Sequence, residues 1–312
     1  MKALAANIEE VNILPALQPP LRCGGAVLVT GASGFIGSVI TAALRSRGFS
    51  VVAHARRACT GIDWVEDLGQ PLQAYQPLPR RIVAVIHCAA AIPSRSSAFD
   101  DNVRIATHLC ARLSNIRAVQ CVIHLSSVAV YKSPARGQWI ISEDAELVDV
   151  EDPNTSPYAD SKRASELALD AFAQQRPEVT LVHLRASSVY GRGMVTSTLL
   201  PTLASRALRH EPMQLRGPRG YVQNFVHVED VAELAITLLT GNDSYCAVNA
   251  FSEDTYGLST FAHLVRDALG SRSVIIDNTD GAEWPTPVFV NVLARRFQPT
   301  FRALRNHVLD VA

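Results

Sequence analysis

The stretch AVLVTGASGFIGSVITAALRSRG, residues 26–48, decides the fold of this chain. Its first five residues are apolar and β-branched and read as a buried strand. GASGFIGS follows directly, and VITAALRSRG then has the spacing of an amphipathic helix that Gly48 closes. Strand, glycine turn and helix in that order build a site for the phosphates of a dinucleotide. Gly31 makes the tight turn, Gly34 lets the backbone approach a pyrophosphate at the positive end of the helix, and Gly37 permits close helix packing. SVVAHA (50–55) supplies the second strand.

Further strand-like runs recur with helical stretches between them: RIVAVIHCAA (81–90), QCVIHLSS (120–127) and VTLVHLRASSV (179–189). That rhythm predicts βαβ units and an α/β, Rossmann-type doubly wound parallel sheet covered on both faces. Residues 1–25 read as an N-terminal arm, 26–190 as the dinucleotide-binding domain, and 191–312 as mainly a smaller substrate-binding lobe. The strand-helix pattern at 222–240 is expected to return to the first domain.

The whole-chain balance narrows the partners. Lys plus Arg and Asp plus Glu number 29 each in 312 residues, a formal net charge of zero, which gives no electrostatic case for nucleic acid or an anionic membrane. A small, specifically bound molecule is expected instead. The six cysteines (Cys23, Cys59, Cys88, Cys110, Cys121, Cys246) have no CxxC or metal-ligand spacing, so no metal is expected. The arm holds Glu9, Glu10, Pro15, Pro19 and Pro20 and no long apolar run, and no later segment is long enough to span a bilayer. A soluble protein of the reducing cytoplasm is the expectation, with the arm a loosely ordered tail.

The end of the second strand bears on which dinucleotide binds. A carboxylate there accepts the ribose 2′-hydroxyl of NAD, but this chain offers Ala55, then Arg56 and Arg57. Guanidinium groups at that place suit a 2′-phosphate, so NADP is favoured over NAD.

SPYADSK (156–162) opens another helix, with Ser156 to cap it and Pro157 at its first position. Tyr158 and Lys162 are neighbours at i and i+4, so the ammonium can stabilise a phenolate and make an acid/base pair. Ser127 ends a strand 31 residues before Tyr158, and in an open parallel sheet ligands bind outside the carboxyl ends of strands. A polar, turn-rich segment between them can fold back and let the three side chains converge.

These motifs in this order resemble the extended short-chain dehydrogenase/reductase family. The resemblance rests on TGASGFIG, Asp67-Leu68 at the third strand, HCAA after the fourth, SSVAVY after the fifth and YADSK on the next helix. LRASSVYGRG and NFVHVEDVAELA resemble its NAD-dependent epimerase/dehydratase branch, and together the motifs cover residues 26–245. The resemblance implies that Tyr158 is the general acid/base, that Lys162 holds the nicotinamide ribose, and that Ser127 hydrogen-bonds the reacting oxygen. It places Gly31, Ser33, Gly34, Phe35, Ile36, Gly37, Asp67, Leu68, Ala89 and Ala90 against the cofactor, and Asn102 near the site. It also implies a homodimer paired through the Tyr/Lys helix and its neighbour.

Departures from the pattern shape the expected reaction. Val128 and Ala129 stand where the dehydratases carry an acidic pair, and neither transfers a proton, so dehydration is not expected. Gln223 stands where an arginine commonly holds a diphosphate, Ser188 replaces an asparagine and Lys132 a glycine. Arg192, Arg216 or Arg219 can offset phosphate charge from adjacent turns. His227 reads as a structural hydrogen-bonder and Asp230 as the N-cap of VAELAITLL. The leading expectation is an NADP-dependent reductase of a nucleotide-linked keto-sugar. Its alternatives are an NAD(P)-dependent sugar epimerase, a ketoreductase on a non-sugar metabolite, and a non-catalytic dinucleotide sensor.

Overall fold

The computed structural model describes residues 24–70, 78–91, 98–241, 246–297 and 299–311. All but the last two residues of the expected arm, Cys23 among them, lie outside the described residues. The chain runs β1 (Ala26–Thr30), α1 (Phe35–Ser46), β2 (Val51–Ala55), β3 (Trp64–Val65), β4 (Ile82–His87), α2 (Ala98–Ser114), β5 (Cys121–Ser127), β6 (Gln138–Ile141), α3 (Pro157–Gln175) and β7 (Thr180–Ala186). It continues as β8 (Ser188–Tyr190), α4 (Leu199–Leu208), β9 (Met213–Leu215), β10 (Pro218–Arg219), β11 (Val222–His227), α5 (Val228–Thr240) and β12 (Ala247–Ala250). β13 (Thr255–Gly257), α6 (Leu258–Ala268), β14 (Ile275–Asp277), β15 (Asp280–Glu283) and β16 (Thr286–Phe289) follow, and then short 3-10 helices at Ala294–Phe297, Leu304–Asn306 and Val308–Val311.

Seven strands form one parallel sheet in the order β12-β7-β5-β4-β1-β2-β3. Every residue of β1, β2, β4 and β5 is buried, because helices cover both faces, and this is why these strands are mostly apolar rather than alternating, with their few polar residues toward the carboxyl ends. On one face Ile40 and Leu44 of α1 and Val231, Ala235 and Leu239 of α5 pack on the sheet. On the other, Leu109 and Leu113 of α2 and Leu169 and Phe172 of α3 do so. This is the doubly wound Rossmann-type fold. The winding reverses between β1 and β4, which opens a crevice at their carboxyl ends.

The apolar run 179–189 is not one strand. It breaks at Ser187, whose N–H donates to the Ala250 carbonyl at 3.2 Å. β7 stays in the main sheet, while β8 pairs with β11 in a separate three-stranded sheet with β13. Helices α4 and α6 cover that sheet with a core of Leu203, Met213, Phe225, Phe261 and Val265. Strand β12 rejoins the main sheet beyond β7, and α5 lies against α1.

One cap differs from its expectation. Helix α5 begins at Val228 with His227 as its N-cap, the ring Nδ1 accepting from the Glu229 N–H at 3.3 Å. Asp230 instead sits inside the first turn, where its carboxylate accepts the Arg302 N–H at 2.6 Å and pairs with the Arg302 guanidinium. An imidazole nitrogen can accept a backbone N–H as a hydroxyl or carboxylate oxygen does, so the helix starts two residues before the carboxylate. Among the described residues no helix is long and apolar enough to cross a membrane.

Candidate active site

The glycine turn owes its shape to close backbone approach. Gly31 has φ +67°, and a Cβ there would lie 2.8 Å from the Ala89 nitrogen at the end of β4. At Gly37 a Cβ would lie 2.3 Å from the Gly31 carbonyl oxygen, so α1 can start this near the turn only without one. Gly34 is the N-cap of α1, with no side-chain cap and no acidic residue in the first turn. The leading N–H groups of the helix are thereby left for an anion, which fits a dinucleotide phosphate. Ser33 is exposed, and Phe35 and Ile36 reach into the adjoining cavity.

Other residues expected at the cofactor divide. Arg56 and Arg57 are exposed on the bend that ends β2. Asp67 is half-buried, its carboxylate accepting the Gly69 N–H at 3.0 Å. Leu68 is buried in the core on the α2 side, so its side chain serves packing. Ala89 takes the hydroxyl of Thr30 as acceptor for its N–H at 3.3 Å, and Ala90 lines the cavity.

Helix α3 is built as its sequence dictates. Ser156 Oγ accepts the Ala159 N–H at 3.2 Å, and Pro157 opens the first turn. Lys162 is buried, and its ammonium donates to the Leu125 carbonyl of β5 at 2.9 Å. Ser127, two residues on, is buried too. Its Oγ accepts the Ala129 N–H at 3.2 Å, a bond that leaves the hydroxyl hydrogen to donate elsewhere. Asn102 of α2 accepts the Ala91 N–H at 2.6 Å and donates to Ser161 Oγ at 3.1 Å, tying the segment after β4 to α3.

Ser127, Tyr158 and Lys162 line one cavity of about 570 Å³, with Phe35, Ile36 and Ala90 of the nucleotide side. Ser188 and Gln223 also line it, and the Gln223 amide donates to Ser188 Oγ. Arg192 and Arg216 do not belong to its lining. Both are exposed, and Arg216 donates to Gln214. Lys162 is the one charged residue among the described lining residues. The wall away from the sheet comes from Met194, Val195, Leu199, Tyr221 and Phe225, which the sequence reading missed because no local motif marks them. A second, more open depression of about 530 Å³ between Ser133 and Trp284 carries none of the expected site residues.

Burial and the lysine charge set the site's electrostatics. The His87 ring, behind the crevice, is pushed down to about 3 by burial, with Lys162 adding to the shift. It stays neutral and hydrogen-bonds Thr30 Oγ1 through Nδ1 at 2.6 Å. The Cys88 thiol, on the cavity wall, is pushed up to about 12 by burial, against the opposing pull of Lys162, so it is not a nucleophile near neutrality. Beneath Ser127, burial alone would raise the Glu166 carboxyl, but Arg185, His183 and Ser126 hold it below its ordinary range.

Comparison with known proteins decides the lineage. Residues 27–250 match the model of the NAD dependent epimerase/dehydratase family. The chain belongs to that family. It is therefore an enzyme of the extended short-chain dehydrogenase/reductase type, as its motifs imply. Among curated members it is 25% identical to a dTDP-4-dehydro-6-deoxy-D-allose reductase of Streptomyces bikiniensis, over 79% of this chain and 82% of that one. A probable GDP-L-fucose synthase 1 of Oryza sativa subsp. japonica is 26% identical over 81% of this chain and 80% of its own. Among solved members, MoeE5 in complex with UDP-glucuronic acid and NAD superposes with a TM-score of 0.75 at 27% identity, covering 92% of this chain and 97% of that one. A UDP-glucose 4-epimerase of Thermotoga maritima shares the fold, with a TM-score of 0.76 at 18% identity and 92% and 97% coverage.

Proposed function

We propose that this family member is an NADP-dependent oxidoreductase that reduces a keto group of a nucleotide-linked sugar. The observation that carries the reading is the meeting of Ser127, Tyr158 and Lys162 on one cavity beside the glycine turn. Similarity to a dTDP-4-dehydro-6-deoxy-D-allose reductase and to a probable GDP-L-fucose synthase supports the substrate class. Gly31, Gly34 and Gly37 would hold the pyrophosphate, Arg56 and Arg57 a 2′-phosphate, and Lys162 the nicotinamide ribose. When bound, the dinucleotide supplies the hydride.

The protein's own part is proton transfer and orientation. Negative charge grows on the carbonyl oxygen as its carbon is reduced, and the Tyr158 hydroxyl delivers a proton to that oxygen. Ser127 donates its free hydroxyl hydrogen to the same oxygen. The Lys162 ammonium, held by Leu125, favours the tyrosinate left behind. Val128 and Ala129 bring no second acid or base, which favours reduction over dehydration. Two copies paired through α2 and α3 complete the reading. Those helices pack side by side, and Leu167 of α3 is exposed.

A second substrate reading rests on the lining. With Lys162 the one charge among the described lining residues, and with Gln223 and Ser188 bonded to each other, the cavity also suits an uncharged ketone. The test is to incubate purified protein with NADPH or NADH and a panel of keto-sugar nucleotides and plain ketones, following the absorbance of the reduced cofactor. NADPH consumption with a keto-sugar nucleotide is expected. Consumption with plain ketones alone selects the second substrate reading, and inversion of a hydroxyl-bearing sugar nucleotide in the presence of oxidised dinucleotide, without net change of the cofactor, makes the protein an epimerase.

A further inference from the structure

Away from the cavity, three side chains from two distant parts of the chain meet at one point. His227 ends β11, and His307 and Asp310 lie in the C-terminal segment. One ligand-type atom of each lies within 4.8 Å of the other two. Asp310 Oδ2 is 3.3 Å from His227 Nε2 and 2.9 Å from His307 Nδ1. Ligand atoms about 2.0–2.1 Å from a tetrahedral ion stand about 3.3 Å apart, so the Asp310–His227 separation matches a coordination shell, while the 2.9 Å Asp310–His307 contact, a hydrogen bond in this structure, has to open by a few tenths of an ångström.

The independent sign is an orphaned nitrogen. His227 is 4% exposed, and its Nε2 is buried with no hydrogen-bond partner among the described residues, although Asp310 is near. An unpartnered buried imidazole nitrogen is costly unless something fills its place. We propose that His227, His307 and Asp310 bind a divalent transition-metal ion of the zinc type, with water completing the shell.

Donor chemistry favours this class, since two imidazoles and one carboxylate suit a borderline ion better than calcium or magnesium, which prefer all-oxygen shells. His307 and Asp310 are partly exposed, so an ion can enter without the fold opening. Binding at Nε2 moves the ring hydrogen to Nδ1, so the long cap bond from Glu229 is given up in exchange. Glu229 and Asp230 also face this corner, each paired with Arg302. The ion would clasp the C-terminal segment to the junction of β11 and α5. That role is structural, and it is independent of the hydride chemistry.

The test is zinc titration of the chelator-treated full chain against a chromophoric competitor, with accessible thiols alkylated beforehand because Cys59 and Cys246 are exposed. One tight equivalent is expected, together with a rise in melting temperature on adding zinc. His307→Ala and Asp310→Asn should each bind on the order of 100-fold more weakly and lose the melting shift. His263→Ala, on an exposed face of α6, should change neither. Asp310→Asn keeps the shape of the site should His307→Ala fold poorly. Equal zinc affinity in wild type and Asp310→Asn, or no tight equivalent in wild type, overturns the proposal.

Discussion

The Lys162 ammonium donates to the carbonyl of Leu125 at 2.9 Å, which fastens helix α3 to the end of β5 two residues before Ser127. The bond ties the strand that carries the serine to the helix that carries the tyrosine. Tyr158→Phe removes the proposed proton donor while leaving that fastening in place. Turnover should fall about 10²- to 10⁴-fold, while the dissociation constant for the dinucleotide, read by fluorescence titration, stays within a few-fold. Unchanged turnover would rule Tyr158 out as the acid.

Lys162→Met should damage both quantities. The methionine cannot donate to Leu125 and brings no charge, so dinucleotide affinity and turnover should fall together. A variant that loses rate alone would mean that Lys162 does not hold the cofactor.

The glycine turn can be tested apart from catalysis. Gly37→Ala places a methyl where the Gly31 carbonyl oxygen lies 2.3 Å away, so α1 must retreat from the turn. Gly31→Ala adds the cost of a left-handed residue, about 1–2 kcal/mol, to its clash with Ala89. Both variants should melt earlier and bind dinucleotide at least about tenfold more weakly by calorimetry, a loss of about 1.4 kcal/mol.

Cofactor choice should respond to the bend after β2. If Arg56 and Arg57 bind a 2′-phosphate, a charge-assisted bond is worth about 1.5–3 kcal/mol. Replacing both with alanine should cut the NADPH-to-NADH affinity ratio about tenfold to a hundredfold, measured with each reduced cofactor. A ratio that does not move would return both arginines to solvent.

Stability should turn on a buried ion pair. Glu166 is fully buried and accepts Arg185 at 3.0 and 2.9 Å and the Ser126 hydroxyl at 2.6 Å. Glu166→Gln leaves the guanidinium without its counter-charge and should cost about 3–5 kcal/mol in urea unfolding. His87 adds a pH dependence of known sign. Its folded-state value of about 3 lies below the ordinary histidine value, so the unfolded chain takes up the proton first. Stability should therefore fall as pH drops from about 6.5 toward 3, by up to about 1.4 kcal/mol per unit from this group. His87→Gln should flatten that slope in urea midpoints measured across the range.

What the sequence determined by itself is local. The turn at 31–37, the cap and first turn at 156–158 and the largely apolar, fully buried strands are fixed by interactions among near neighbours, through glycine sterics, backbone capping and the period of burial. The fold and the Tyr158/Lys162 pair are legible for that reason. Tertiary structure alone decided what depends on packing between distant segments. It split the run 179–189 at Ser187 and brought β12 back to the main sheet. It buried Leu68, left Arg192 and Arg216 outside the cavity's lining, and supplied an apolar wall from the segments around α4 and β11. It started helix α5 at Val228, which gave the cap to His227 and left the Asp230 carboxylate to Arg302. The same long-range folding set His307 and Asp310 beside that ring, a juxtaposition that no spacing along the chain encodes.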